Sequence, residues 1–330
     1  MAEVATLRPS QLVAALRTCV ETKQPAVIWG PPGIGKSDIV RQVATSMEMD
    51  YRDIRAVLLD PVDLRGLPTI SADGTTRWAT PEFMPKAGKG VVVLEELNRA
   101  AVMVQNACFQ LVLDRQLGEY TLPKDWAIIA ACNREEDGGG ITRMPQALAN
   151  RFLHINLEPD LDEWCQWAIT HDIDPLIIAF LRFRSNLLHA FDRNEHAFPT
   201  PRSWAFVSRI LQHTTADLEL PLIAGAVGYG AAVEFMSFLK LYRDMPSIDA
   251  ILLTPDAAKV PEDVATLYAV SSALAAKATD TNLGRVITYL DRIPAEYAVY
   301  SIKDTVLRDP LLQTNNSFTQ WAVSHSQLLR

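Results

Sequence analysis

The segment from Gly30 to Ser37 restricts the possible fold more than any other part of this sequence. It fits G-x-x-x-x-G-K-[ST] at every fixed position, between an apolar run at 26–30 and a helical pattern at 37–47. Glycines let successive backbone N–H groups point at an anion, and the positive end of the following helix faces the same anion. The sequence therefore predicts a phosphate-binding loop that consists of Gly30, Pro31, Pro32, Gly33, Ile34, Gly35, Lys36 and Ser37. We also include the next residue, Asp38, among the residues that bind the nucleotide.

Within this loop, Lys36 and Ser37 carry the chemistry. We expect Lys36 to reach the β- and γ-phosphates and the Ser37 hydroxyl to bind Mg²⁺. The pattern recognises phosphates rather than a base, so it leaves ATP and GTP open.

Strand and helix patterns alternate along the first half of the chain. Alternation of this kind is typical of a parallel sheet covered by helices on both faces. Turn residues also predict one hairpin within an insert at about 60–90 and another at about 115–123. The predicted strands lie at 26–30, 54–59, 91–95, 127–132 and 152–157.

The strand patterns stop after Pro159, and helical patterns follow to the end of the chain. We therefore predict an α/β nucleotide-binding core at 1–158 and an all-helical region behind it. A break around 245–262 divides that region into a lid at 159–245 and a helical C-terminal extension at 246–330.

The strand pattern at 91–95 ends in two carboxylates, Glu95 and Glu96. In enzymes with a phosphate loop, the first acid at this place holds Mg²⁺ and the second polarises the attacking water. We therefore assign Glu95 to the metal, together with Ser37, and Glu96 to the water. Aspartate is usual at the position of Glu95. The alternative therefore remains that the protein is a switch, which binds the nucleotide and hydrolyses it slowly.

Four segments in this order resemble the AAA+ ATPases. They are GPPGIGKS at 30–37, LEELNRA at 94–100, AACN at 130–133 and ANRF at 149–152. The stretch ELNRA with Gln105 after it resembles the MoxR and dynein-related branch, and the two inserts resemble that branch's helix-2 insert and its hairpin before sensor 1. The resemblance covers residues 25–215. It implies a P-loop AAA+ core with a parallel sheet flanked by helices, followed by an all-helical lid and a helical extension.

The resemblance also implies roles for single residues. Asn133 resembles sensor 1, which orients the attacking water. Arg151 resembles the arginine finger, which acts on the nucleotide of the neighbouring subunit, and Arg143, in a flexible stretch after three glycines at 138–140, is the alternative. Arg202 in PRSW resembles sensor 2, which contacts the γ-phosphate.

By the same resemblance, the chain hydrolyses ATP with Mg²⁺ in a homo-oligomeric ring, expected to be a hexamer. Asn98 and Arg99 match the branch signature, and we expect them to bridge neighbouring subunits. Related proteins remodel or mature a protein client, often with a separate partner that contains a von Willebrand factor A (VWA) domain. A nucleic-acid motor remains an alternative, as does the slow switch.

The composition of the chain disfavours some of these functions. A net charge of −8 and a pI near 5.3 argue against general nucleic-acid binding, which needs a basic face. The four cysteines lack metal or redox spacing and are expected to be reduced thiols. The sequence shows no signal peptide and no apolar run of about 20 residues, so we expect a cytoplasmic protein without a membrane span.

Overall fold

The computed structural model describes residues 6–137, 142–245 and 247–327 of the 330-residue chain. The chain divides into two compact units, residues 1–159 and residues 160–330. The first unit combines strands and helices, and the described part of the second contains only helices and their connections.

The described residues of the first unit form a central sheet and two hairpins. In chain order, its strands are β1 Thr6–Leu7, β2 Ala26–Trp29, β3 Asp50–Arg55, β4 Leu67–Ile70, β5 Thr76–Ala79, β6 Gly90–Glu95, β7 Gln116–Leu117, β8 Tyr120–Thr121, β9 Trp126–Cys132 and β10 Leu153–Leu157. The six strands of the sheet are all parallel, in the order β1-β10-β2-β9-β6-β3. Their carboxyl ends therefore meet at one edge, which is where ligands bind in open α/β sheets.

Helices cover both faces of this sheet, as the alternation of patterns predicts. Along β6, Val91 and Val93 pack on one side and Val92 and Leu94 on the other, because successive side chains of a strand point to opposite faces. The first face is covered by α1 Pro9–Thr22 and α2 Lys36–Ser46. The second is covered by α3 Pro61–Arg65, α4 Val102–Asp114 and α5 Gln146–Ala149.

The predicted position of the second strand is wrong. We predicted it at 54–59, whereas β3 runs from Asp50 to Arg55 and residues Ala56–Leu58 form a 3-10 helix. The strand lies at the edge of the sheet and carries mostly polar side chains, so its apolar signal is weak. The prediction rested on the apolar residues at 56–59, but these follow the strand, begin with the 3-10 helix, and include Leu58, which is 71% exposed.

The two inserts form antiparallel hairpins as predicted. Strand β4 pairs with β5, with Leu67 opposite Ala79, and β7 pairs with β8, with Gln116 opposite Thr121. The residues of β4 and β5 are all exposed. A hydrogen bond from the Trp78 backbone N–H to the carboxylate of Glu119 joins the two hairpins.

The second unit is a bundle of helices around an aromatic centre. Phe180, Trp204 and Phe235 are fully buried, with ring centroids 5.1–5.7 Å apart. Arg182, whose side chain is 9% exposed, forms a bidentate ion pair with the buried Asp304. The helices are α6 Leu161–Thr170, α7 Pro175–Phe183, α8 Pro201–Leu211, α9 Ala216–Val227, α10 Tyr229–Arg243, α11 Ile248–Leu253, α12 Val264–Lys277, α13 Leu283–Leu290, α14 Ala295–Arg308 and α15 Asn316–Ser324.

The predicted break at 245–262 contains helix α11. Ser247 caps this helix by accepting a hydrogen bond from the Ala250 N–H, and Ile248, Ile251 and Leu252 are buried. The helix has only six residues, too few for a periodic pattern to stand out between the prolines. Residue 246 lies outside the described residues, and the division into a lid and an extension at 245 stays a prediction.

Two further expectations concern the whole chain. The four cysteines are buried free thiols, as predicted. None of the helices within 6–137, 142–245 and 247–327 is long and apolar enough to cross a membrane.

Candidate functional site

The predicted phosphate loop connects the central strand β2 to helix α2. Gly33 and Gly35 have positive φ angles of 78° and 89°, a conformation that glycine adopts without steric cost. Gly30 is needed for a different reason, because a Cβ there would lie 2.7 Å from the Leu157 carbonyl oxygen and 2.8 Å from Ile34 Cδ1. The sequence therefore folds into a tight loop whose end, Gly35, is the N-cap of α2.

The other residues of the loop are partly or fully covered. Pro31 and Ile34 are buried, whereas Pro32 is half-buried. Asp38 lies in the first turn of α2 and is exposed, so it points away from the core while its charge lies near the positive end of the helix.

Lys36 joins this loop to the end of strand β9. Its Nζ donates hydrogen bonds to the carbonyl oxygens of Gly30 at 2.7 Å and Pro31 at 2.9 Å, and to Asn133 Oδ1 at 2.8 Å. An ammonium group has three hydrogens to donate. The positive charge of Lys36 therefore lies over the loop and in contact with the predicted sensor 1 residue.

Glu95 lies at the carboxyl end of β6 and contacts Ser37. The Ser37 hydroxyl lies close enough to this carboxylate to favour its charged form, whereas Glu95 Oε1 is buried without a hydrogen-bond partner among the described residues. Burial raises the pKa of Glu95 above its usual value, although the Ser37 hydroxyl opposes this, and the nearby Asp53 raises it further. A buried carboxylate oxygen that lacks a partner is a feature of a site that takes a cation.

The residues present fit Mg²⁺ rather than a metal held entirely by the protein. Ser37 and Glu95 offer hard oxygen ligands, and Mg²⁺ is usually held by one or two protein oxygens together with phosphates and water. Among the described residues there is no cluster of three or more histidine, cysteine or acidic side chains that could hold a metal.

Glu96 follows Glu95 but occupies a different environment. Its backbone is left-handed, with φ of 52°, and its N–H donates to the Ala131 carbonyl oxygen at 2.9 Å. Its carboxylate pairs with Arg99 at 2.9 Å, and both side chains are about two-fifths exposed. The turn thus directs one acid, Glu95, into the protein and leaves the next one accessible to water.

Asn98 makes a contact beside the site that the sequence did not reveal. Its side chain is 1% exposed, and its Nδ2 donates a 2.7 Å hydrogen bond to the Asn133 carbonyl oxygen. The expectation that Asn98 bridges neighbouring subunits is therefore wrong, because its amide is buried within its own subunit. Arg99, which is exposed, contacts Glu96.

Asp53 and Tyr51 are further groups near the acidic strand end that sequence reasoning missed. Burial, and then the charges of Glu95 and Asp53, raise the pKa of Tyr51 to about 12. The Arg41 guanidinium lies 4.7 Å from the centre of the Tyr51 ring. Both residues belong to β3, which pairs with β6 and so runs beside Glu95. A correct placement of β3 would have indicated them, but the strand was predicted too late in the sequence.

The two candidate arginine fingers lie after helix α4. Arg151 follows α5, is half-buried, and has its guanidinium carbon 5.3 Å from the centre of the Phe109 ring. Arg143 is exposed. The three glycines at 138–140 and residue 141 lie outside the described residues, and the flexibility of the stretch that contains Arg143 stays a prediction. Which arginine acts on a neighbouring subunit stays a prediction.

Arg202 belongs to the second unit, in the first turn of α8. Thr200 caps this helix by accepting a hydrogen bond from the Ser203 N–H, and Pro201 occupies its first position. Arg202 is exposed, whereas Trp204, two residues later, is fully buried and donates its indole N–H to the Leu187 carbonyl oxygen. The local fold therefore presents Arg202 to solvent, and its role as sensor 2 stays a prediction.

Comparisons with known proteins match the part of the chain that contains this site. Residues 25–152 match the AAA domain family, dynein-related subfamily. Midasin from Giardia intestinalis is 25% identical over 181 residues, which are 51% of this chain and only 4% of that protein.

Similar solved structures include a RuvB mutant from Thermotoga maritima and NtrX from Brucella abortus in complex with ATP. RuvB is 15% identical, with a TM-score of 0.42, and the match covers 80% of each chain. NtrX is 13% identical, with a TM-score of 0.44, and the match covers 99% of this chain and 69% of that one. Similarities this low carry no information on activity.

Proposed function

We propose that the chain, whose residues 25–152 match the AAA domain family, dynein-related subfamily, hydrolyses ATP with Mg²⁺ in an oligomeric ring and remodels a protein client. The observation that carries the proposal is the set of side chains at one edge of the sheet. Lys36 donates a hydrogen bond to Asn133 there, Ser37 and Lys36 both stabilise the charged form of Glu95, and Glu96 lies close enough to influence Glu95.

Each of these groups has a defined task in the proposed reaction. Ser37 and Glu95 would hold Mg²⁺, which when bound offsets charge on the β- and γ-phosphates. Lys36 supplies a second positive charge to the same phosphates. Glu96, a partly exposed carboxylate, accepts a hydrogen bond from the attacking water and orients it.

Asn133 completes the arrangement around the water. Because its Oδ1 accepts from Lys36, its Nδ2 is left as a donor that can face the attacking water or a phosphate oxygen. Arg151 from the neighbouring subunit and Arg202 from the helical unit would stabilise the charge that spreads over the γ-phosphate.

A matched pair of variants separates the two acids. Glu96→Gln should lower ATP turnover by about 10²–10⁴-fold, the contribution typical of a general base, and should retain ATP binding. Glu95→Gln should instead raise the Mg²⁺ concentration needed for half-maximal turnover. Glu96→Gln turning over ATP at the wild-type rate would refute the assignment.

An oligomeric ring follows from the proposal that Arg151 completes a neighbour's site. Turnover per subunit should then rise with protein concentration, because an isolated subunit lacks the arginine supplied in trans. We expect a hexamer. A turnover per subunit that stays constant while light scattering reports assembly would contradict the shared site.

Remodelling of a protein client is supported by the exposed hairpin β4–β5. Its apolar residues include Leu67, Ile70 and Trp78, which are 67%, 83% and 36% exposed, and exposed apolar patches mark protein contacts. The net charge of −8 disfavours a nucleic-acid motor. We propose that a separate VWA-domain protein assists.

The client can be sought with a nucleotide-locked variant. Glu96→Gln loaded with ATP should retain a partner protein in a pull-down, and adding Ile70→Ser, which removes an exposed apolar side chain, should reduce the yield. If both variants recover the same proteins in the same yield, the hairpin does not bind the client. If neither variant recovers a protein, the proposal of client remodelling is contradicted.

A further inference from the structure

The turn after strand β6 contains a buried amide that donates a hydrogen bond to the main chain of Asn133. Asn98 lies in the 3-10 helix Leu97–Arg99, which starts directly after Glu96. Its Nδ2 donates to the Asn133 carbonyl oxygen at 2.7 Å, and its own carbonyl oxygen accepts from the Thr142 N–H at 2.8 Å. One side chain thus ties the end of β6 to the end of β9.

We propose that Asn98 is a positioning residue for ATP hydrolysis, which holds the main chain of Asn133 so that the Asn133 carboxamide meets Lys36 and the attacking water. The inference rests on the proposed function and names a residue that acts through another one. Asn98 itself touches neither the phosphates nor the water.

The hydrogen-bonding of the Asn98 amide supports a role beyond filling space. Its Oδ1 is buried without a hydrogen-bond partner among the described residues, which is unfavourable for a polar atom. A leucine, which has the same branching and no polar atom, would avoid that cost. The advantage of an amide at this position is therefore its N–H donor, Nδ2, which makes the hydrogen bond to the Asn133 carbonyl oxygen.

The same hydrogen bond fixes the distance between the two groups that face the water. Glu96 and Asn98 belong to one short turn, and Asn133 is held by that turn on one side and by Lys36 on the other. A buried hydrogen bond is electrostatically stronger than one in water, so it can restrict this geometry. Small displacements of catalytic groups reduce the rate strongly.

Gln105 offers a matched control in the same region. It is fully buried, its Nε2 donates to the Ala100 carbonyl oxygen at 3.0 Å, and its Oε1 also lacks a hydrogen-bond partner among the described residues. Its side-chain hydrogen bond goes to Ala100 rather than to Asn133. Asn98→Ala and Gln105→Ala therefore remove similar buried amides, and only the first should affect hydrolysis selectively.

We expect Asn98→Ala to lower kcat for ATP by about 10–100-fold and to change KM by no more than about twofold. Gln105→Ala should lower the melting temperature to a similar extent and keep kcat within about twofold of the wild type. An unchanged kcat in Asn98→Ala, or an equal loss in Gln105→Ala, would overturn the proposal.

A double variant tests whether Asn98 acts through Asn133. If it does, Asn98→Ala should reduce kcat little further once Asn133→Ala has removed the carboxamide. If instead the fold-losses in kcat of the two single variants multiply in the double variant, Asn98 acts independently of Asn133 and the proposal is refuted. Should Asn98→Ala fail to fold, Asn98→Leu removes the donor and keeps the branched shape of the side chain.

A crystal structure of the folded Asn98 variant separates this proposal from the proposed function. We expect an intact sheet in which Asn133 Oδ1 no longer lies within hydrogen-bond distance of Lys36 Nζ. An Asn133 that keeps its place would overturn the positioning role, whatever the turnover. Wild-type protein that never hydrolyses ATP would refute the proposed function, and this structure would still decide the role of Asn98.

Discussion

Replacing Arg182 by methionine should destabilise the helical unit far more than breaking an exposed ion pair of the same length. The guanidinium nitrogens of Arg182 lie 2.6 and 2.8 Å from the carboxylate oxygens of Asp304, and the two side chains are only 9% and 6% exposed. Arg182→Met leaves the Asp304 carboxylate buried without its partner. Loss of one member of a buried pair costs about 3–5 kcal/mol.

The exposed pair of Lys277 and Asp249 provides the control. Its N–O distance is 2.7 Å, but its side chains are 48% and 72% exposed, and such pairs contribute at most about 1 kcal/mol. In a unit of this size, 1 kcal/mol corresponds to about 2–4 °C in the melting temperature. Thermal unfolding followed by circular dichroism should show a loss of about 6–20 °C for Arg182→Met and at most about 4 °C for Lys277→Met.

A double variant tests the physical cause. Adding Asp304→Leu to Arg182→Met removes the unpaired charge and should restore most of the lost stability. Equal losses for Arg182→Met and Lys277→Met, or a double variant no more stable than Arg182→Met, would refute the reasoning. Because the pair joins helices on either side of residue 245, a large loss would also show that those helices stabilise one another.

Three further perturbations follow from the contacts. Gly30→Ala should weaken ATP binding, because the new Cβ lies too close to the backbone of β10, and titration with a fluorescent ATP analogue measures it. Hydrogen bonding to Arg243 lowers the pKa of Glu219, so the stability advantage over Glu219→Gln should be present at pH 7 and lost below about pH 4, measured by urea unfolding. Burial raises the pKa of Cys108 and of Cys165 to about 12, so folded protein at pH 8 should resist iodoacetamide, as mass spectrometry would show.

The sequence alone was sufficient for the part of the site that depends on short-range patterns. Lys36 and Ser37 follow from the loop motif, Glu95 follows from the acidic end of an apolar run, and Asn133 was implied by the resemblance of AACN to the AAA+ ATPases. Once the strands are parallel, their ends must meet at one edge, so these groups come together without knowledge of the strand order. The structure brings Lys36, Ser37, Glu95 and Asn133 into contact there.

The rest depended on neighbours that are distant in sequence. The contact between Asn98 and Asn133 spans 35 residues and exists because β6 and β9 are adjacent strands. Nothing in the local pattern around Asn98 distinguishes a buried amide from one at a subunit contact. Asp53 was missed because an edge strand with polar side chains gives little apolar periodicity, so β3 was predicted four residues too late.

Mixing two inactive variants tests most directly whether ATP is hydrolysed at sites shared between subunits. Glu96→Gln lacks the group that orients the water, and Arg151→Ala lacks the arginine supplied to the neighbour, so each alone should be nearly inactive. In a mixed ring, an Arg151→Ala subunit beside a Glu96→Gln subunit has one complete site, and random mixing in equal amounts should restore activity at about a quarter of the sites. Mixed rings that assemble and remain as inactive as either variant alone would contradict the account.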